Sequence, residues 1–598
     1  MWRNTGRSKV AQCFSITGLG ILCAVGNDTA GVLRAMKEGR RGIRPVRYLD
    51  TEHKELPVGE VQLSDAEMKA MLGIAADATV SRTTLMGAIA IRQAMADAGI
   101  TAESLEGRRV ALLSGTTVGG MDVTERLFTA MKTDDAALQY VRHHDCGSGT
   151  KMMAELCGIP KSEVCTISTA CSSAANAIMT GCEMLRNDEA DIVIAGGSEA
   201  LSKFHLNGFN TLMILDHEPC RPFDATRAGL NLGEGAAFVV IEGGDAEGRA
   251  KAYVGGYGNR CDAFHQTASS EDGEGAFLAM SDALRSARMK PQDIQYVNAH
   301  GTGTPNNDPS ESAALRRIFG TEMPPVSSTK GMTGHTTSAS GSIETVMTIL
   351  AMQHGFMPQN TGFATPDEAC ITPLTAIREG RIDHALCNAF GFGGNDSSLL
   401  LSREPVEVEK QTGSEVEART VVEARIAAEV VIDSAEALAQ CAGYISPREG
   451  RRMNRLMKAA TVASLKALEE AGIETPDAII SATAYGMLQT SEQFLEELCE
   501  GGEQLLKPTL FMQSTHNTVG SAIAIRTHCH GYNTTYTQGA DSIRWAMRDA
   551  RRLIAEGRAK SVLVVEHDES TPLFRSFARR LGDEEPKELW VRCRVVVK

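Results

Sequence analysis

Four short segments carry residue types suited to nucleophilic chemistry. The first reads Val164-Cys-Thr-Ile-Ser-Thr-Ala-Cys171-Ser-Ser-Ala-Ala-Asn, a β-branched strand, a sharp turn and then a small-residue helix. A thiol at that turn meets the unpaired N–H groups and positive end of the helix, which favour thiolate over thiol. The second, Val297-Asn-Ala-His300-Gly-Thr302-Gly-Thr304-Pro-Asn-Asn-Asp308, sets a His at a strand end before a Gly/Thr loop. The third, Ser327-Ser-Thr-Lys330-Gly-Met-Thr-Gly-His335, places Lys and His five apart in another Gly-rich loop. The fourth, Asn388-Ala-Phe-Gly-Phe392-Gly-Gly-Asn395-Asp396, is an apolar strand breaking into glycines. Glycines let backbone N–H groups come close to a ligand, which is how an oxyanion hole is built. Taken singly, each segment has a blander explanation, a core Cys or a satisfied loop His. A nucleophile, two His and an oxyanion loop in one chain together point to covalent catalysis at Cys171.

Holding these segments in register requires strands and helices in layers. Ser15–Gly20 reads as a strand, Leu85–Ala98 as a helix stopped by Gly99, and Val110–Ser114 and Ile192–Ala195 as further strands. This alternation predicts a layered α/β fold. The composition, 42% hydrophobic and 23% charged, excludes disordered, collagenous and coiled-coil classes. A net charge of −15 argues against nucleic acid as a bulk partner. Fifteen Cys with no C-x-x-C pair and no zinc-ligand spacing read as reduced thiols. The segment Met1–Val10 lacks the apolar core of a signal peptide, and no run of ~18 apolar residues predicts a membrane span. A cytoplasmic protein is expected.

Together the four segments resemble the β-ketoacyl-acyl carrier protein synthases of the elongating, Cys-His-His kind. The resemblance runs from Val10 to about Arg403 and takes in Arg221-Pro-Phe-Asp224 and Gly233-Glu-Gly-Ala236 in the family's order. It implies a thiolase-like αβαβα fold, with an N-terminal half over 1–250 and a C-terminal half over 251–405. It further implies Cys171 as nucleophile and His300 and His335 as donors to the malonyl thioester oxygen, with Lys330 orienting the pair. The N–H groups of Cys171 and Phe392 form the implied oxyanion hole, and Phe392 is also the gating aromatic. Thr302 and Thr304 are implied to hold the pantetheine arm, and Asp308 and Glu311 to anchor the loops. No metal, nucleotide or redox cofactor is implied, since 4′-phosphopantetheine arrives on an acyl carrier protein acting in trans. Two His without a catalytic Asn argue against the initiating branch, and the thiolases' second catalytic Cys is missing. The polar run Thr336-Thr-Ser-Ala-Ser-Gly341 departs from the apolar Leu-Gly-Ala-Ala-Gly-like run of common fatty-acid synthases and resembles ketosynthases of aryl polyene and flexirubin-type pathways. The implied reaction is decarboxylative Claisen condensation of a malonyl carrier thioester with a Cys-bound acyl chain. The alternatives are an acyltransferase or malonyl decarboxylase on the same fold, or a non-enzymatic scaffold.

A charged, core-poor stretch predicts a linker at 406–420, after which, over 421–598, the chain repeats itself. Arg82–Ile100 is echoed by Arg455–Ile473, Ala111–Gly119 by Ala478–Gly486, and Glu125–Phe128 by Glu492–Leu495. Three matches in one order predict a duplicated module. Aligning Ala559–Val565 with Ala190–Gly196 sets Ala540 opposite Cys171, so the second copy has no thiol at the nucleophile position. It resembles the N-terminal half of a ketosynthase and its chain-length-factor partners. The expected assembly is a pseudo-heterodimer within one chain, with a homodimer as the alternative. Asp541-Ser542-Ile543 looks like a phosphopantetheine attachment site, but the repeat explains it better. Arg544, Arg548, Arg551, Arg552 and Arg558 read as a solvated, salt-bridged face or a dock for an acidic carrier protein.

Overall fold

The computed structural model describes residues 13–406 and 424–598, apart from Glu247 and Cys441. The predicted linker therefore lies, except for its first residue, outside the described residues.

Residues 14–243 contribute β1 (Phe14–Cys23), β2 (Val110–Gly115), β3 (Glu163–Ile167), β4 (Ile192–Glu199) and β5 (Gly235–Gly243). All of β1 and β4 is buried, as continuous apolar strands covered on both faces must be. The helix Arg82–Asp97 covers one face; its backbone comes so close to β1 that a Cβ on Gly20 would lie 1.9 Å from the Ala90 carbonyl oxygen. The helices Ser173–Arg186 and Ser340–His354 pack on the other face, buried along almost their whole length. Beyond them lies a second sheet of β6 (Ala252–Cys261), β7 (Tyr296–Asn298), β8 (Val326–Ser327), β11 (His384–Gly391) and β12 (Asn395–Ser402), in the order β6-β12-β11-β7-β8. A small pair, β9 (Phe356–Met357) and β10 (Arg378–Glu379), sits apart. Glu274–Ser286 and Asn307–Phe319 close the outer side, completing the αβαβα stack.

The second copy supplies β13 (Arg425–Ile432), β14 (Ala478–Ala482), β15 (Tyr532–Tyr536), β16 (Ser561–Glu569) and β17 (Leu589–Val597). It extends the first sheet to ten strands in the order β1-β5-β4-β2-β3-β15-β14-β16-β17-β13. The sequence positions run as a palindrome about the β3–β15 junction, and the parallel and antiparallel pairings match on both sides. At the junction the two edge strands are antiparallel, with Tyr536 opposite Ile167. There the Ser168 N–H donates to the Thr535 carbonyl and the Thr537 N–H to the Thr166 carbonyl, each at 2.9 Å. The expected intramolecular pairing is thus built sheet edge to sheet edge.

The arginine face needs correcting in part. Arg544 and Arg548 reach Glu163 at 3.0 and 2.8 Å, Arg548 and Arg552 both reach Glu189 at 2.8 Å, and Arg558 reaches Glu183 at 2.6 Å. These acids belong to the first copy. Four of the five arginines are spent in the seam between copies, and Arg551 is exposed near Asn187 and Glu189. The salt-bridged reading holds, with the acids lying across the seam; Arg544 and Arg551 stay exposed, whereas Arg552 is buried there. Among the described residues no helix is long and apolar enough to cross a membrane, and no His/Cys/Asp/Glu cluster has metal-site geometry.

Candidate active site

Cys171 sits where β3 gives way to the helix Ser173–Arg186, in a single 3₁₀ turn, Ala170–Ser172. Ala170, just before it, holds φ +52°, a left-handed conformation that costs a non-glycine residue energy and persists only where packing enforces it. The turn is braced by the Ser173 hydroxyl, which donates to the Ala170 carbonyl, and by the Asn176 side chain, which donates to Thr169 Oγ1.

The catalytic candidates converge on this turn. His335 Nε2 lies 3.0 Å from Cys171 Sγ. The His300 and His335 rings meet edge to face, 5.2 Å between centroids. Lys330 Nζ lies 3.3 Å from His300 Nδ1 and forms a buried ion pair with Glu344. The Phe392 N–H is directed toward the Cys171 sulfur and pulls its thiol down. A Cβ on Gly391 would sit 2.8 Å from the Thr169 carbonyl oxygen and 3.1 Å from the Cys171 nitrogen, so only glycine fits where the two donors converge. Glu311 takes the His300 and Gly301 N–H groups at 2.9 and 2.8 Å, and Asp308 takes those of Thr302 and Phe223. These carboxylates therefore shape the His300 loop from beneath it. The hydroxyls of Thr302 and Thr304 are 2.9 Å apart on the wall of the cleft leading to Cys171.

Sequence reasoning missed two residues here. Glu344 partners Lys330 from the helix Ser340–His354; a lone acid in an otherwise apolar helix was the available signal. Ser340 lies in the polar run flagged above, and its hydroxyl stands 3.0 Å from His335 Nδ1.

Electrostatics corrects another expectation. Burial pushes the Cys171 thiol up to about 12, although Lys330 and the Phe392 N–H both pull it down. The helix-end effect does not leave a thiolate in the resting site, because the cost of burying a charge is larger. Burial, with Lys330 adding to it, holds both His300 and His335 well below the ordinary histidine range, so both rings are neutral. Burial likewise raises Glu344 to about 7 against the pull of Lys330.

Cys171 stands between two cavities. One is lined by His300, Thr302, Thr304 and Phe390 of the first copy. The other runs past Phe209 and Phe392 into the second copy, where Tyr485, Phe511 and His516 line it. Phe392 stacks on Phe209, 5.6 Å between centroids, and borders both spaces.

Residues 14–246 match the family described as beta-ketoacyl synthase, N-terminal domain, and residues 251–364 match its C-terminal domain. Residues 431–586 match a beta-ketoacyl synthase N-terminal domain again. The 3-oxoacyl-[acyl-carrier-protein] synthase 2 of Coxiella burnetii is 32% identical over 412 residues, 65% of this chain and 98% of the relative. The chain belongs to the β-ketoacyl synthase family. As a β-ketoacyl synthase it is an acyltransferase of fatty-acid or polyketide chain elongation. The solved ishigamide ketosynthase/chain length factor is 28% identical, with a TM-score of 0.61 over 66% of this chain and 100% of its own. The solved PfaC keto synthase-chain length factor superposes on 98% of this synthase with a TM-score of 0.77, covering 78% of its own length. At 16% identity that likeness concerns the fold, and it takes in both copies.

Proposed function

We propose that this synthase condenses a Cys171-bound acyl chain with a malonyl unit delivered on an acyl carrier protein in trans. The carrying observation is the placement of Cys171, 3.0 Å from His335 Nε2, at the meeting point of two cavities. The cleft with Thr302 and Thr304 suits a pantetheine arm, whose amides the two hydroxyls hydrogen-bond. The cavity beyond Phe392 suits the growing acyl chain.

In the first half-reaction the Cys171 sulfur attacks the carrier thioester. The carbonyl oxygen develops charge against the N–H groups of Cys171 and Phe392, and the carrier sulfur leaves as the thiol, taking up the proton that Cys171 gives up. A malonyl thioester then enters the Thr302/Thr304 cleft and loses CO2, placing the electron pair on its enolate oxygen. Lys330 faces Nδ1 of His300, and the Ser340 hydroxyl faces Nδ1 of His335, so each neutral ring carries its proton on Nε2. Those two N–H groups stabilise the enolate in a buried site where such donors count far more than in water. The carbanion attacks the acyl carbonyl, and the tetrahedral adduct expels the Cys171 thiolate. The product is a 3-oxoacyl carrier thioester two carbons longer. No cofactor enters this scheme. The second copy acts as a non-catalytic partner that supplies one wall of the acyl cavity and occupies the dimer position.

Incubation with acyl- and malonyl-carrier thioesters tests this, with intact mass reading the acyl group on Cys171 and the extended product. CO2 release without a condensed product would instead support the decarboxylase alternative.

A further inference from the structure

The second copy also reaches the oxyanion hole. We infer that Asn517 and Ser521 are positioning residues that lock the Phe392 peptide with its N–H aimed at Cys171. Asn517 is fully buried just before the helix Thr518–Thr527. Its side-chain amide donates to the Phe392 carbonyl at 2.8 Å and to Asn395 Oδ1 at 2.7 Å. One helical turn on, the Ser521 hydroxyl donates to the Gly393 carbonyl at 2.8 Å. The Gly393 N–H is taken by the Gln266 carbonyl, and the Gly394 N–H by the Gly391 carbonyl.

This matters because the loop is soft by composition. Gly393 and Gly394 hold φ +85° and +73°, and glycines give peptide planes little resistance to rotation. Turning the Gly391–Phe392 peptide would aim its N–H away from the sulfur. That plane's own carbonyl, of Gly391, accepts the Gly394 N–H, and the two carbonyls that follow are tied to the second copy, so the turn that holds the plane is anchored from outside the catalytic unit. Contact is tight: a Cβ on Gly393 would lie 2.8 Å from Ser521 Oγ and 2.9 Å from the Asn517 amide nitrogen.

The repeat makes the division of labour explicit. Counting back from the left-handed residues that end the two equivalent helices, Gly158 and His528, sets Asn517 opposite Gly147, which has no side chain to donate. The first copy holds the thiol and the second holds the clamp.

The test compares the full-length protein with Asn517→Ala, Asn517→Asp and Ser521→Ala. It reads amide hydrogen exchange of the 391–395 segment, condensation kcat and KM, and iodoacetamide alkylation of Cys171. Asn517→Ala is expected to speed exchange at least ~10-fold and to lower kcat ~10- to 100-fold, within the range for weakening an oxyanion donor. KM for the malonyl carrier should stay within about twofold, and alkylation should slow much less than kcat, because the Phe392 N–H is only one of the groups that set the Cys171 thiol. Asn517→Asp keeps the shape but cannot donate to Phe392, and should lose at least as much as Ala. Exchange and kcat at wild-type levels in a folded variant would overturn the inference, as would alkylation falling in parallel with kcat. If the Asn517 variants do not fold, Ser521→Ala decides through the same readouts. The kinetic arm rests on the proposed condensation. If the wild type makes no extended product, that reading fails on its own, and exchange at 391–395 still decides the clamp.

Discussion

The two copies make the same five-strand half-sheet and use it for opposite ends. In both, a strand runs into a short 3₁₀ turn and then a long helix, Glu163–Arg186 in the first and Tyr532–Ala555 in the second. In the first copy the turn presents Cys171 to the His335 loop. In the second it presents Ala540, which is exposed, and no His loop from the described residues lies against it. What the second copy sets against the first is the β15 edge, four of the arginines, one wall of the cavity beyond Phe392 and Asn517 at the start of its helix. A duplicated fold can therefore lose its chemistry at one face while its interface is retained.

The sharpest way to break this contrast is to exchange the thiol. Cys171→Ala should lower condensation by at least about 10³-fold, as loss of a covalent nucleophile does. Ala540→Cys should gain no acyl adduct in intact-mass analysis. An adduct on the new Cys would show that the second turn is still a site.

The next largest effect is expected at the seam. Burial would raise the Glu183 carboxyl, but Arg558, Arg186 and Arg552 together bring it down to about 2. Glu183→Ala removes the buried acid that Arg558 and Arg186 share and should cost about 3–5 kcal/mol in urea unfolding. The pH dependence follows in sign. A carboxylate depressed in the folded state adds stability above its unfolded value of about 4.3, and that stability is lost as pH falls toward 2. The acid-side decline between those limits should shrink in Glu183→Gln. A decline of wild-type steepness would detach Glu183 from the pairing of the copies.

A gentler probe addresses the shared cavity. Phe511 packs between Phe204 and Phe209, with centroids 5.9 and 5.3 Å away. Phe511→Ala should lengthen the longest product by one or more two-carbon units, read by mass spectrometry of released chains. An unchanged product profile would remove the second copy from control of length. Smallest of all, Arg544→Ala at the exposed rim of the seam should cost less than about 1 kcal/mol, measured by the same unfolding curves.

The catalytic constellation was legible because its residues sit in short, chemically unusual segments: Cys171 on a turn, His300 and His335 in glycine loops, Phe392 where β11 breaks up. The duplication was legible from matched helices with the same glycine stops. Glu344 was missed because a buried acid inside a helix shows its purpose only when Lys330 is seen across the gap. Asn517 was missed for the same reason, since its partner lies in another module and no local pattern links them. The state of Cys171 was misjudged because a helix terminus is visible in sequence and depth of burial is not. The arginines were read from one surface alone, without Glu163, Glu183 and Glu189 opposite.

The β3–β15 junction has a further consequence for how the enzyme behaves on dilution. A ketosynthase whose second half-sheet comes from another polypeptide depends on concentration to stay assembled, and its apparent stability follows that concentration. Here both edges are on one chain, so their meeting is intramolecular. A cell making a few molecules and a cell making thousands hold the same fraction of complete two-walled cavities beyond Phe392, the two walls in strict one-to-one ratio.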